Sequence, residues 1–192
     1  MIFVETKIDG VYLVEIQPHE DQRGMFARTF CEREFATIGA PAHMVQASVS
    51  CSRQRGTVRG IHFQRPPSRE AKLVRCIRGR VFDVIVDLRP GSNTYADHVT
   101  VELDSVSRRA VYIPPGLGHG FQTLEDDTEV FYLMSDYADA NLAAGVRWND
   151  PAFGIRWPLT EVTINERDAR YPDFDAEAFA AEFAAHEQGR EQ

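Results

Sequence analysis

Between Tyr12 and Tyr137 no apolar period persists long enough to make a substantial helix; short β-branched or aromatic runs alternate instead with Gly, Pro and polar turns. This punctuation predicts strands at Val11–Ile16, Met44–Ser50, Thr57–Phe63, Lys72–Ile77, Arg80–Leu88, His98–Asp104, Arg109–Ile113, Gly120–Leu124 and Glu129–Tyr137. Many evenly spaced antiparallel strands must hide their edges, by closing a barrel or by folding into a double-sheet jelly roll, and the jelly roll is the expectation here. Helix is confined to the periphery. A short turn is expected at Glu32–Thr37, and a C-terminal helix at Asp175–His186 sets Phe179 and Phe183 four apart on one face, able to cover one end of the sheet. A length of 192 residues with 43% hydrophobic residues suits one sizeable core, so one domain over residues 1–192 is expected, with a frayed tail after about residue 186.

The strand pattern at Arg80–Leu88 separates two faces. Phe82, Val84, Val86 and Leu88 share one, which reads as core; Val81, Asp83, Ile85 and Asp87 share the other. Two carboxylates among apolar side chains suit a strand lining a wet cavity or a polar interface, and simple solvent exposure fits the pattern as well.

Chemistry concentrates in three further segments. In Thr57–Phe63, Gly60 interrupts a strand that also carries Arg59 and His62, and a bulge at that glycine would turn both side chains, which have opposite parity, into one cavity. A hydrogen-bonded core histidine is the alternative. In the segment from Glu70 to Cys76, Lys72 lies on the face opposite Leu73; pointing inward it must meet a carboxylate or a developing oxyanion, and pointing outward it would protect a sheet edge. From Ile113 to Phe121 a Pro- and Gly-rich turn delivers His119 at the start of a strand, an arrangement similar to the second motif of cupins. Metal-binding cupins supply two histidines and a glutamate from their first motif, where this chain reads His62-Phe63-Gln64. One histidine from each motif holds a first-row metal poorly, so no metal and no cofactor are expected. Tyr132, within a strand, and Asp168, in a polar stretch, are uninformative when read singly.

The net charge of −8 and pI near 5.2 argue against an extended nucleic-acid surface, so any anionic ligand must be met by local cations. The N-terminus reaches charged residues within five positions, unlike a secretory leader or a membrane span, and a cytoplasmic location is expected by default. Cys31, Cys51 and Cys76 are too few and too widely spaced for a disulfide framework or a thiolate zinc site.

Taken as a series, Asp21 to Phe26, Val58 to Phe63, Lys72 to Cys76, Pro114 to Phe121, Tyr132, Arg147 to Pro151 and Asn165 to Asp168 resemble the dTDP-4-dehydrorhamnose 3,5-epimerase family, from about residue 3 to residue 172. The resemblance implies a homodimeric, metal-free jelly-roll cupin that acts on a nucleoside-diphosphate 4-keto-6-deoxyhexose in deoxysugar biosynthesis, an isomerase. It implies His62 as base, Asp168 as the carboxylate orienting it, Lys72 as the cation stabilising the enolate, and Tyr132 as the acid on the opposite face. Arg23, Arg59 and His119 match positions contacting the diphosphate or the sugar, and Phe26, Gln46 and Tyr137 match positions around the nucleotide or the sugar. The chain departs from the family pattern at Arg28, where a glutamate is frequent, at Ala47-Ser48-Val49, where Asp-Asn-His is usual, and at Leu133, where Lys or Arg is common. The first two departures remove hydrogen-bonding groups from the expected base pocket; the third bears on protonation and on whether C3, C5 or both are inverted. The competing readings are a metal-dependent cupin enzyme, such as a dioxygenase or sugar isomerase, and a non-catalytic sugar-binding cupin.

Overall fold

The computed structural model describes residues 1–41 and 43–188. Two antiparallel sheets face each other as a cupin-type jelly roll. The first runs in the order β1 (Ile2–Glu5), β2 (Tyr12–Glu15), β10 (Ala110–Ile113), β7 (Lys72–Arg78), β12 (Thr128–Met134) and β5 (Gln46–Ser52). The second runs β13 (Ala143–Gly145), β6 (Val58–Gln64), β11 (Leu117–Thr123), β8 (Arg80–Asp87) and β9 (His98–Asp104). A separate hairpin pairs β3 (His19–Asp21) with β4 (Gly24–Phe26), and the described residues also form the α-helices α1 (Glu32–Phe35), α2 (Glu166–Ala169) and α3 (Ala176–Gln188), with a 3-10 turn at Ala36–Ile38 after α1. The tail expected to fray after residue 186 begins inside α3, and residues 189–192 lie outside the described residues.

Alternation along β8 decides how the layers stack. Val81 and Ile85 join Val74, Val111, Phe121 and Val130 in the core between the sheets, so Asp83 and Asp87, on the same face, also point inward and are completely buried. Solvent exposure of that face, the alternative left open by the sequence, is excluded. The opposite face packs Val84, Val86 and Leu88 with Ile61, Phe63 and Phe153 beneath Phe179 and Phe183 of α3. The C-terminal helix therefore covers the outer face of the second sheet, where the sequence pointed to one end. The outer face of the first sheet is sealed by Phe35 of α1, fully buried edge-on against Phe3 and Tyr112, a burial that stabilises by about 2 to 3 kcal/mol.

Several boundaries differ from the sequence reading for local reasons. β5 runs two residues later than expected at each end, over Gln46–Ser52. β11 begins at Leu117, so His119 lies within the strand and not at its start; Gly118 and Gly120 hide this, since glycine lowers strand propensity, yet a Cβ at Gly118 would meet Ile61 at 2.6 Å. β12 ends at Met134, where the Ser135 amide turns to the Ala71 carbonyl, leaving Tyr137 in the following loop.

Asp87 organises the loop after β8. It accepts hydrogen bonds from Arg89, Ser92 and Thr94, at 2.9, 2.6 and 2.7 Å. Burial alone would raise its pKa, but these donors outweigh it and hold the carboxyl down at about 2. A depressed folded-state pKa contributes stability above the unfolded value that is lost as pH falls through the folded one. Asp87→Asn should therefore cost roughly 2 kcal/mol near neutrality by this linkage. Denaturant unfolding should show that difference closing between the ordinary carboxylate pKa of 3.8 and about 2; a pH-independent difference would assign the effect to packing.

Candidate active site

The site is built where β6 meets β11. His119 pairs directly across from His62, and the register slips before Phe121 pairs with Arg59. The slip lies opposite Gly60, whose φ of +110° favours glycine and whose Cβ, if present, would lie 2.6 Å from both Gly120 Cα and the His119 carbonyl oxygen. This irregularity brings Arg59 and His62, of opposite parity, to one cavity of about 250 Å³. Lys72 from β7, Tyr132 from β12, His119 from β11 and Asp168 from α2 also line it, with Ser50, Phe121, Asn165 and Arg167. His62 and Tyr132 come from opposing sheets, so the cavity has a histidine wall and a tyrosine wall.

Asp168 is entirely buried, and its Oδ1 lies 2.9 Å from His62 Nε2. The Gly60 amide donates to its Oδ2 and Arg167 Nε to its Oδ1, at 3.1 and 3.2 Å. The Asn165 side chain caps α2 by accepting from the Asp168 amide at 2.7 Å, which fixes the carboxylate's approach. Burial opposes the charge, but the hydrogen bond and charge of His62, with the Gly60 and Arg167 donors, keep the Asp168 carboxyl below its usual range. An anionic partner at Nε2 selects the tautomer protonated there and leaves Nδ1 with its lone pair. Arg167 Nη2 also lies 3.2 Å from Nε2, so a cation brackets the pair.

The anion required by an inward Lys72 is Glu70, with Oε2 2.5 Å from Nζ and side chains 8% and 15% exposed respectively. Tyr132 lies edge-on to His119, ring centroids 5.9 Å apart, and burial pushes its phenol pKa up, as a neutral proton donor requires. His119 Nε2 meets Asp83 Oδ2 at 2.8 Å. Arg59 is held across the cavity, Nε donating to Ser52 Oγ and Nη2 to the Cys51 carbonyl. A second recess of about 400 Å³ shares His62, Lys72 and Arg167 with the first and extends along Glu70, Tyr171 and the Ala138–Ala140 loop.

Four residues singled out by the sequence lie elsewhere. Arg23 and Phe26 sit on the β3–β4 hairpin and line a separate cleft; the Arg23 side chain is 85% exposed and pairs with Asp21, while Phe26 is 77% exposed. Gln46 accepts from the Ala138 amide at 2.7 Å, and Tyr137, in that loop, is 68% exposed. Gln64 pins the same loop through the Asp139 amide at 2.9 Å. Sequence reasoning did not assign Glu70 or Arg167 to the site. Glu70 had a signal, two positions before a strand lysine that needs an anion; Arg167 lies beside Asp168 on a four-residue helix too short to show a period.

The model of the dTDP-4-dehydrorhamnose 3,5-epimerase family matches residues 5–176. The chain is 41% identical to a dTDP-4-dehydrorhamnose 3,5-epimerase of Sinorhizobium fredii over 173 residues, covering 90% of this chain and 89% of that protein. It is 44% identical to a dTDP-4-dehydrorhamnose 3-epimerase of Streptomyces niveus, covering 84% and 78%. Among solved structures, the crystal structure of NovW, a 4-keto-6-deoxy sugar epimerase from the novobiocin biosynthetic gene cluster of Streptomyces spheroides, superposes with a TM-score of 0.89 at 41% identity, covering 95% of this chain and 92% of that one.

Proposed function

The chain belongs to the dTDP-4-dehydrorhamnose 3,5-epimerase family, and from that premise we propose that it epimerises a nucleoside-diphosphate 4-keto-6-deoxyhexose beside the ketone, by proton removal and return. The observation that carries the reading is a single cavity in which an Asp-backed histidine and a half-buried tyrosine face inward from opposing sheets, with a lysine beside them. A hydrogen on a carbon next to a ketone is acidic only through the enolate, so the chemistry needs a base, charge stabilisation at the ketone oxygen and an acid on the other face.

His62 takes the proton, and Asp168 holds its ring and balances the imidazolium. Lys72 stabilises the oxygen at C4, with Glu70 fixing its ammonium. Tyr132 returns a proton from the far wall, which inverts the centre where return from His62 would restore it. Arg59 and His119 bind the diphosphate or the sugar. Arg23 and Phe26 are displayed away from their own chain's cavity, which suits a homodimer in which a second copy receives them as nucleotide contacts; Gln46 and Tyr137 act at the cavity rim through the loop they share. A cytoplasmic setting suits such a biosynthetic step, and among the described residues no helix is long and apolar enough to cross a membrane.

Proton NMR of sugar products from dTDP-, UDP-, CDP- and GDP-linked 4-keto-6-deoxyhexoses tests the reading. Ring couplings report configuration at C3 and C5. Inversion at one or both carbons of the dTDP-linked sugar is expected, and unchanged couplings with all four substrates would overturn the proposal.

A further inference from the structure

Each of the two histidines that face one another across β6 and β11 is held through Nε2 by its own fully buried carboxylate, and the reaction proposed above uses only one of these pairs in proton transfer. Asp83 is the unexplained partner. Its Oδ2 meets His119 at 2.8 Å, while its Oδ1 is buried with no hydrogen-bond partner among the described residues. An unsatisfied buried carboxylate oxygen opposes folding, and an apolar side chain on that face of β8 would pack without this penalty. Burial pushes the Asp83 carboxyl pKa up, against the opposing pull of the His119 contact. The ring it fixes lies edge-on to Tyr132, with Phe121 as its other aromatic neighbour, and both Asp83 and Arg59 act electrostatically on the Tyr132 phenol.

We propose that His119 and Asp83 form a second proton-holding pair that restores the phenol of Tyr132 after each inversion, with Asp83 as the positioning residue. The proposal rests on the epimerase reading. As Tyr132 protonates the enolate carbon, its O–H bond breaks, the new C–H bond forms and a phenolate remains. An N–H of His119 then breaks as the Tyr132 O–H re-forms, and the pair recovers its proton from water. His62 releases to water the proton it took from the sugar, so the cycle balances without a co-reactant. Where both carbons flanking C4 are inverted in one bound sugar, Tyr132 needs a proton twice, and a proton-holding pair in the same cavity supplies the second.

The test compares solvent-deuterium exchange beside the ketone with net inversion, using the whole chain and the dTDP-linked 4-keto-6-deoxyhexose. Asp83→Asn keeps the shape of the side chain and removes its proton-holding role. Inversion should fall roughly tenfold while exchange falls less, raising the exchange-to-inversion ratio about fivefold; equal losses of both would mean a merely structural role and overturn the proposal. His119→Gln, measured with and without Tyr132→Phe, decides the matter even where Asp83→Asn fails to fold. If His119 acts through the phenol, its replacement should lower turnover about tenfold alone and less than about twofold in the Tyr132→Phe background. The same loss in both backgrounds overturns the inference. An unaltered protein that neither exchanges nor inverts would instead refute the epimerase reading itself.

Discussion

Replacing His62 by Asn is expected to lower deuterium uptake beside the ketone and net inversion together, each by roughly a thousandfold, the scale of general-base catalysis. Both processes begin with the same C–H cleavage, and no other described histidine in the cavity is placed to replace the missing group: the ring of His119 is engaged by Asp83 and packed against Tyr132. Asparagine is too short to replace Nε2, but the Gly60 amide and Arg167 still donate to the buried Asp168 carboxylate, so the α2 cap has no reason to open. Exchange rates from NMR, with thermal unfolding as the check on folding, decide the point. A loss below about tenfold would place the base elsewhere.

Gly60→Ala is expected to damage both fold and activity. The backbone at Gly60 has a φ of +110°, and a methyl group there would meet Gly120 Cα and the His119 carbonyl oxygen at 2.6 Å, backbone atoms that cannot rotate away. Strain of about 1 to 3 kcal/mol and overpacking of similar size combine to roughly 4 kcal/mol. For a chain of this length that corresponds to a fall of about 10 °C in Tm. Relief requires β6 and β11 to separate, moving His62 from Asp168 and Arg59 from Ser52, so turnover should fall even where the variant remains folded. A melting curve and turnover both matching the unaltered protein would contradict the role given to the bulge.

The relation between sequence and structure differs from element to element. β8 was legible because strict alternation of apolar residues with Asp83 and Asp87 marks two faces, although only the packed sheets reveal that the carboxylate-bearing face is the interior. β1, β3, β4 and β13 run three or four residues, too short for a period to register. β11 was shortened because Gly118 and Gly120 lower strand propensity for the sake of close packing on Ile61 and β6.

At the site, Arg59, His62, Lys72, His119, Tyr132 and Asp168 converge on one cavity, and the bulge at Gly60 that joins two of them was readable from a glycine inside a strand. Arg23 and Phe26 do not join them, since alternation assigns a side chain to a face but says nothing about where a free hairpin points. Asp83 was readable as a polar residue on a strand face; its pairing with His119, 36 positions away, required the β8–β11 register.

The central claim, that hydrogen leaves and returns as a proton beside the ketone, is tested most directly by turnover of the dTDP-linked 4-keto-6-deoxyhexose in heavy water. The account predicts one deuterium at each inverted carbon flanking C4 and none elsewhere on the ring. Inverted product carrying its original hydrogen at those carbons would contradict it.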